Sequence, residues 1–255
     1  MTTRTHHIKH MSWTAFETRK QATQLAILPA GAMEGYGPHL PLGADTLVAT
    51  RLAELVAART GGLIGPVLEA GDSSMLAEFP GTIAIRPESF KQYVSDVVES
   101  LLKWGFTDLL VINGHAGNVP MYSQLAYALR ERGGIRMAQI DVWRFIKTVD
   151  EGILESGALA HSHAGEAGTS VLLAVCPELV DLTRTMDVKR AQPDLYPEIM
   201  KYGKLSDNSK WGTMGNSTIA SAQKGEQLVA RAVDRILHFL RDHWSIADKG
   251  GQHEQ

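Results

Sequence analysis

Four side chains able to do chemistry crowd into one stretch, Ile27–Asp45 (ILPAGAMEGYGPHLPLGAD): Glu34, Tyr36, His39 and Asp45. Further on stand His115, in VINGHAGN, and His161, His163 and Glu166, in HSHAGEAGTS. Carboxylates and imidazoles at this density, among glycines and prolines, make a poor apolar core. They suit a metal or a polar substrate. Two or three carboxylates with one or two imidazoles match the donor preferences of Zn²⁺, Mn²⁺ or Fe²⁺, with Zn²⁺ the best fit. The set has no thiolate, which argues against a structural cysteine-type zinc site. Mixed oxygen and nitrogen ligation open to solvent polarises a carbonyl and brings a water's pKa down towards ~7. The chemistry expected is hydrolysis.

Each residue also has a plainer role. Asp45 reads locally as the N-cap of a following helix. Glu34 suits a turn, His115 a loop pinned to backbone, and Glu166 the first turn of a helix, where a negative charge is favourable. What raises them above these roles is where the strands end. QLAILPAG, TDLLVINGH and IRMAQIDVW are apolar runs of the kind buried parallel strands show. LIGPVLEAG reads as a shorter strand, and 72–86 as a loop followed by a strand. Helical periodicity covers 12–22 (capped by Ser12), 46–60 (capped by Asp45 or Thr46), 87–105, a segment from Asn118 as cap to Gly133–Gly134, the run after HSHAGEAGTS to Pro177, and 224–243. Residues 144–160 fit no pattern, and 181–223 read as polar loops with a flap. Alternating strands and helices predict an α/β fold, three-layer α/β/α with a mostly parallel central sheet. In such folds ligands lie beyond the carboxyl ends of the strands. That is where Glu34–Asp45, His115 and Asp141–Trp143 are expected to meet.

A chain of 255 residues suits one domain. Residues 1–11, with His6, His7 and His10, and residues 247–255 read as mobile tails. The net charge of −3, without a basic stripe, excludes a nucleic-acid footprint. The longest apolar runs fall far short of the ~20 residues of a membrane helix, and MTTRTHHIKHM lacks the apolar core of a signal peptide. One cysteine, Cys176, forms no internal disulfide and fits a reducing, cytoplasmic setting. In VLLAVCP it reads as a buried, inert thiol. The expected partner is a small molecule. No phosphate-binding glycine loop, dinucleotide fingerprint or serine nucleophile elbow is present.

LPAGAMEGYGPHLPLGADT resembles the metal-loop signature of the creatininase (creatinine amidohydrolase) family, whose usual form is close to LPxGSxEqHGpHLPlxtDt. VINGHAGN resembles that family's NgHgGN segment, and HSHAGEAGTS its HAGExETS segment. FPGTIAI and GNSTIASAQKGEQL match family positions as well, and the likeness runs in order over roughly residues 25–230. The resemblance implies the three-layer fold, often a hexamer, a site for one or two divalent metals, and hydrolysis of amide-like bonds in small molecules. It implies Glu34, Asp45 and His115 as ligands of one metal, Asp45 bridging to a second, and Glu166 serving that second metal. It implies His163 as proton donor to the leaving group, with Glu166 or Asp45 as base. Two positions depart from the motif. Tyr36 stands where the family has a metal-ligating histidine, and Gly168 where HAGExETS has its second glutamate. A phenol with an ordinary pKa of about 10 is a poor ligand beside imidazole. One firm metal, an uncertain second and a substrate other than creatinine are expected, with Tyr36 and His39 contacting that substrate. Two alternatives stand beside an amidohydrolase: hydrolytic C–C opening of a carbocyclic diketo-sugar such as an oxidised inositol, and a non-catalytic metal- or metabolite-binding relative.

Overall fold

The computed structural model describes residues 5–189, 199 and 203–250. In chain order the elements are α1 (Trp13–Lys20), β1 (Leu25–Ala30), α2 (Ala44–Thr60), β2 (Leu63–Ile64), α3 (Pro87–Lys103), β3 (Asp108–Asn113), α4 (Val119–Arg130), β4 (Arg136–Asp141), α5 (Val142–Lys147), α6 (Glu166–Val175), β5 (Asp187–Val188), β6 (Gly215–Asn216) and α7 (Ala222–Trp244). The strand order β2-β1-β3-β4 is parallel throughout, with Leu25 opposite Asp108 and Asn113 opposite Asp141. β5 and β6 pair antiparallel as a separate ribbon.

Side chains of the central strands alternate between two cores, as the two-residue period of a strand requires. Leu25, Ile27, Leu110 and Ile112 pack with α2, α5, α6 and α7 on one face. Ala26, Leu28, Leu109 and Val111 pack with α3 and α4 on the other. The middles of β1 and β3 are therefore apolar at successive positions, and each fully buried Leu or Ile contributes about 1.5–3 kcal/mol. The three-layer α/β/α architecture expected from the sequence is the architecture found.

Several local expectations change. α2 begins two residues before its expected start, with Gly43 at the N-cap. Asp45 is thus inside the first turn with its side chain free for other work. Asn118 stands before α4 without capping it. Its amide donates to the Gly31 carbonyl oxygen at 2.9 Å and its Oδ1 accepts the Asp72 amide at 3.1 Å, so it ties three loops together. Segment 72–86 forms isolated bridges, Met33 to Ile83 and Gly71 to Ala84, where a strand was expected. The stretch 144–160, left open by its pattern, starts as the end of α5.

The tails are corrected too. His7 is buried, bridges to Ile64 and contacts Glu54 at 3.1 Å, so residues 5–11 are packed. Lys249 donates its amide to the Arg59 carbonyl oxygen at 2.6 Å, and Asp248 pairs with the Arg59 guanidinium, so 247–250 lie against α2. Residues 1–4 and 251–255 fall outside the described residues. Among the described residues no helix is long and apolar enough to cross a membrane.

Candidate metal centre

β1, β3 and β4 end side by side, and the turns beyond them converge. Close approach of backbone makes this possible. A Cβ on Gly114, just past β3, would lie 2.3 Å from the Asp45 carbonyl oxygen, so only glycine lets the start of α2 descend onto the strand ends. Asn113 fixes His115, two residues on, its Oδ1 accepting the His115 amide at 3.2 Å and its Nδ2 donating to the His115 carbonyl at 2.7 Å.

Glu34, Asp45 and His115 meet there, each presenting one ligand atom, all within 4.8 Å of one another. Their exposures are 2%, 2% and 7%. His115 Nδ1 lies 3.2 Å from Asp45 Oδ2 and 3.3 Å from Glu34 Oε2. Its Nε2 lies 2.7 Å from the Asp72 carbonyl oxygen, which can only accept. Nε2 therefore carries hydrogen, and in the neutral ring the lone pair belongs to Nδ1, the nitrogen that faces both carboxylates. Two carboxylates and a correctly oriented imidazole nitrogen, closely spaced and buried, fit a divalent ion.

Neighbouring donors hold the carboxylates. Ser73 Oγ donates to Glu34 Oε2 at 2.7 Å, and Trp143 Nε1 donates to Asp45 Oδ1 at 2.8 Å. With a proton in place of a metal, burial disfavours the charged His115 ring, but contacts with Asp45 and Glu34 outweigh it and push its pKa up to about 11. Glu34 goes the other way: burial opposes its charge, yet His115 and His163 hold its carboxyl well below the usual range. Asp45 is pushed up by burial, with Glu34's negative charge adding to the shift and His115 opposing it.

His163 stands beside this group, Nε2 3.3 Å from Glu34 Oε1 and Nδ1 2.8 Å from the Gly212 carbonyl oxygen. The carbonyl accepts from Nδ1–H, so Nε2 is the nitrogen presented to the site. Tyr36 packs on that ring, centroids 4.1 Å apart, and lies 6.0 Å from the Trp143 ring. Burial, followed by the charges of Asp45 and Glu34, drives its phenol pKa far upward. It is a neutral hydroxyl here.

Two expected site residues are placed elsewhere. Glu166 does not join the ligand group. Its buried carboxylate accepts the Glu155 and Ser156 amides, the Ser156 hydroxyl at 2.6 Å and the Lys224 ammonium at 2.7 Å. With its oxygens taken up in this way, Glu166 stands outside the group that Glu34, Asp45 and His115 form. His39, 1% exposed, does not join the Glu34–Asp45–His115 group. Its Nε2 lies 2.9 Å from Thr169 Oγ1, whose hydroxyl donates to the Ala164 carbonyl, and burial lowers the His39 pKa to about 4. His161 contacts Asp150 at 2.5 Å. Sequence reasoning missed Ser73, Asn118 and Lys224. Ser73 lies in an unpatterned loop with no signal, whereas Lys224 lies in the motif-like GNSTIASAQKGEQL and was there to be weighed.

The Creatininase family model, described as creatinine amidohydrolase, matches residues 9–240. The chain is 29% identical to a creatinine amidohydrolase of Pseudomonas putida, over 93% of this chain and 96% of that one. It is 32% identical to a mycofactocin precursor peptide peptidase of Mycobacterium ulcerans, over 82% and 81%. It is 26% identical to a 3-dehydro-scyllo-inosose hydrolase of Thermotoga maritima, over 92% and 83%. A solved mutant creatininase of Zn-Zn type superposes with a TM-score of 0.81 at 27% identity, covering 94% of this chain and 98% of that one. Metal-ligand geometry, fold and sequence agree: the chain belongs to the creatininase family of metal-dependent hydrolases.

Proposed function

We propose that this chain hydrolyses an amide-type bond, in a cyclic amide or formamide, of a small polar metabolite at the Glu34–Asp45–His115 centre. The observation that supports it most is the buried three-ligand group with His163 Nε2 beside it, 3.3 Å from Glu34. Glu34, Asp45 and His115 Nδ1 would hold a divalent ion, and when bound it would supply Lewis acidity towards a carbonyl and a water. Zn²⁺ suits this donor set, with Mn²⁺ and Fe²⁺ as other candidates. His163 holds a proton on Nε2, with Nδ1 fixed by Gly212, and delivers it to the leaving nitrogen. With Glu166 committed elsewhere, Asp45 remains the base. Tyr36 offers a neutral hydroxyl to a substrate carbonyl or hydroxyl. The same phenol occupies the place where a second metal's histidine stands in the family motif, so one metal per chain is the expected load.

The depth of the ligands favours a small substrate over a peptide. The hydroxyl of Tyr36, with the likeness to the inosose hydrolase, supports a second reading: hydrolytic C–C opening of an oxidised inositol. A homo-oligomer, a hexamer by resemblance, and a cytoplasmic setting belong to the same proposal. The test is purified protein loaded with Zn²⁺ or Mn²⁺, offered formamides, hydantoins, oxidised inositols and short peptides. Turnover of an amide, abolished by chelator and by H163Q, is the expected result. Turnover of oxidised inositols alone would overturn the amidohydrolase reading in favour of the second.

A further inference from the structure

Every contact of the Glu166 carboxylate fastens chain. Its oxygens accept the Glu155 amide at 3.1 Å and the Ser156 amide at 2.8 Å, eleven and ten residues earlier in the sequence. The carboxylate thereby closes the loop 155–166, and that loop carries His163. Lys224, from the first turn of α7, binds the same carboxylate at 2.7 Å and Glu155 Oε1 at 2.7 Å. It also donates to the Ile219 carbonyl oxygen at 2.9 Å.

Ile219 ends the segment that holds His163 from the other side. Gly212 of that segment accepts from His163 Nδ1 at 2.8 Å, and the Met214 amide donates to the His163 carbonyl at 2.8 Å. One ammonium therefore joins both pieces of chain on which the His163 ring depends. Lys224 reaches this point because α7 lies almost against α6. A Cβ on Gly225 would sit 1.9 Å from the Ser170 carbonyl oxygen, and the Ser221 amide donates to Ser170 Oγ at 3.2 Å.

We propose that Lys224 is a positioning residue for His163, acting through Glu166 and Ile219 to hold the ring with Nδ1 on Gly212 and Nε2 towards Glu34. Its consequence for turnover rests on the reading of His163 as proton donor, while its consequence for the ring's geometry does not. A buried ion pair is by itself weak evidence of stability, because well-packed apolar residues often replace one at no cost. An apolar pair would fill the volume but would not gather Glu155, Ser156, Glu166 and Ile219 to a single point. Lys224 is not among the donors around Glu34, Asp45 and His115, so metal content is not expected to change with it.

The experiment is ¹⁵N-histidine NMR on the full chain, with the His163 ring signals assigned from H163Q. In the wild type, His163 Nδ1–H exchanges slowly. In K224M its exchange speeds up by about tenfold or more, K224R restores it, and the Zn²⁺ content per chain stays as in the wild type. In steady-state assays on whichever amide is turned over, K224M lowers kcat about ten- to hundredfold, as small misplacements of a catalytic group do, with a smaller change in KM. A folded K224M whose His163 Nδ1–H signal matches the wild type overturns the proposal. An H163Q enzyme of full activity overturns the proton-donor reading alone, leaving the NMR result to stand or fall separately. If K224M does not fold, E166Q, which keeps an acceptor for Ser156 but not the charge facing Lys224, is read by the same two signals.

Discussion

Gly168 faces the ring of Tyr36: a Cβ at residue 168 would lie 3.6 Å from Tyr36 Cε1 and 4.0 Å from its hydroxyl. The two positions at which this chain departs from the family motif are therefore neighbours in space. The phenol occupies the room that a longer side chain at 168 would need. The departures form one change, a larger neutral group on one side and none on the other.

That pairing predicts unequal effects at residue 168. G168A adds a methyl at ordinary contact distance within α6 and removes a helical glycine, so it is expected to be neutral or to raise stability by roughly 0.5–1 kcal/mol. G168E drives a buried charge against Tyr36 and is expected to lower stability by several kcal/mol. Adding Y36H to G168E should recover part of that loss. Denaturant unfolding of the wild type, G168E, Y36H and the double variant, analysed as a double-mutant cycle, measures the coupling; additive effects would show that the two positions are independent.

Metal uptake should release a proton. In the metal-free protein the His115 imidazolium persists up to about pH 11, while a metal requires the neutral ring. Apparent Zn²⁺ affinity is expected to rise about tenfold per pH unit between pH 6 and 8. Calorimetry in buffers of different ionisation enthalpy would report close to one proton released per ion. D45N and H115A should bind no ion.

The same shift carries a sign for stability. His115 is raised on folding, so its contacts with the carboxylates stabilise the metal-free protein fully below the ordinary histidine pKa of 6.5 and are lost as pH climbs through about 11. Glu34 is lowered, so its contribution is present above 4.5 and is lost as pH falls through its folded pKa. The metal-free Tm is expected to fall on the alkaline side, and bound Zn²⁺ to flatten that limb. A metal-free Tm rising from pH 7 to 10 would contradict the orientation given to His115.

Trp143 orients Asp45 through its indole N–H at 2.8 Å. W143F keeps the ring against Tyr36 and removes the donor. Loss of such an orienting hydrogen bond costs about 10–100-fold in metal affinity, readable by competition with a chromophoric chelator. Unchanged affinity would mean that α2 alone fixes Asp45.

Much of this was written in the sequence. The apolar run LLVI, short and rich in β-branched residues, reads as a strand buried on both faces, and the amphipathic periods of α3 and α7 match helices that cover the sheet. Glu34, Asp45 and His115 stood out because polar ligands at strand ends have no use in a core. Side-chain direction decided the rest, and local pattern does not encode it. Asp45 looked like a cap until α2 began at Ala44 and turned it inward. Glu166 looked like a ligand until Lys224, far along the chain, claimed it. His39 shares its motif with Glu34 yet points to Thr169. The sequence by itself determined the layers and marked out Glu34, Asp45 and His115 as candidate ligands, because burial and periodicity are local properties. Only the tertiary structure decided which carboxylate faces the candidate metal site and which holds a loop, because that choice rests on partners distant in sequence, 58 residues apart for Glu166 and Lys224 and 129 for Glu34 and His163.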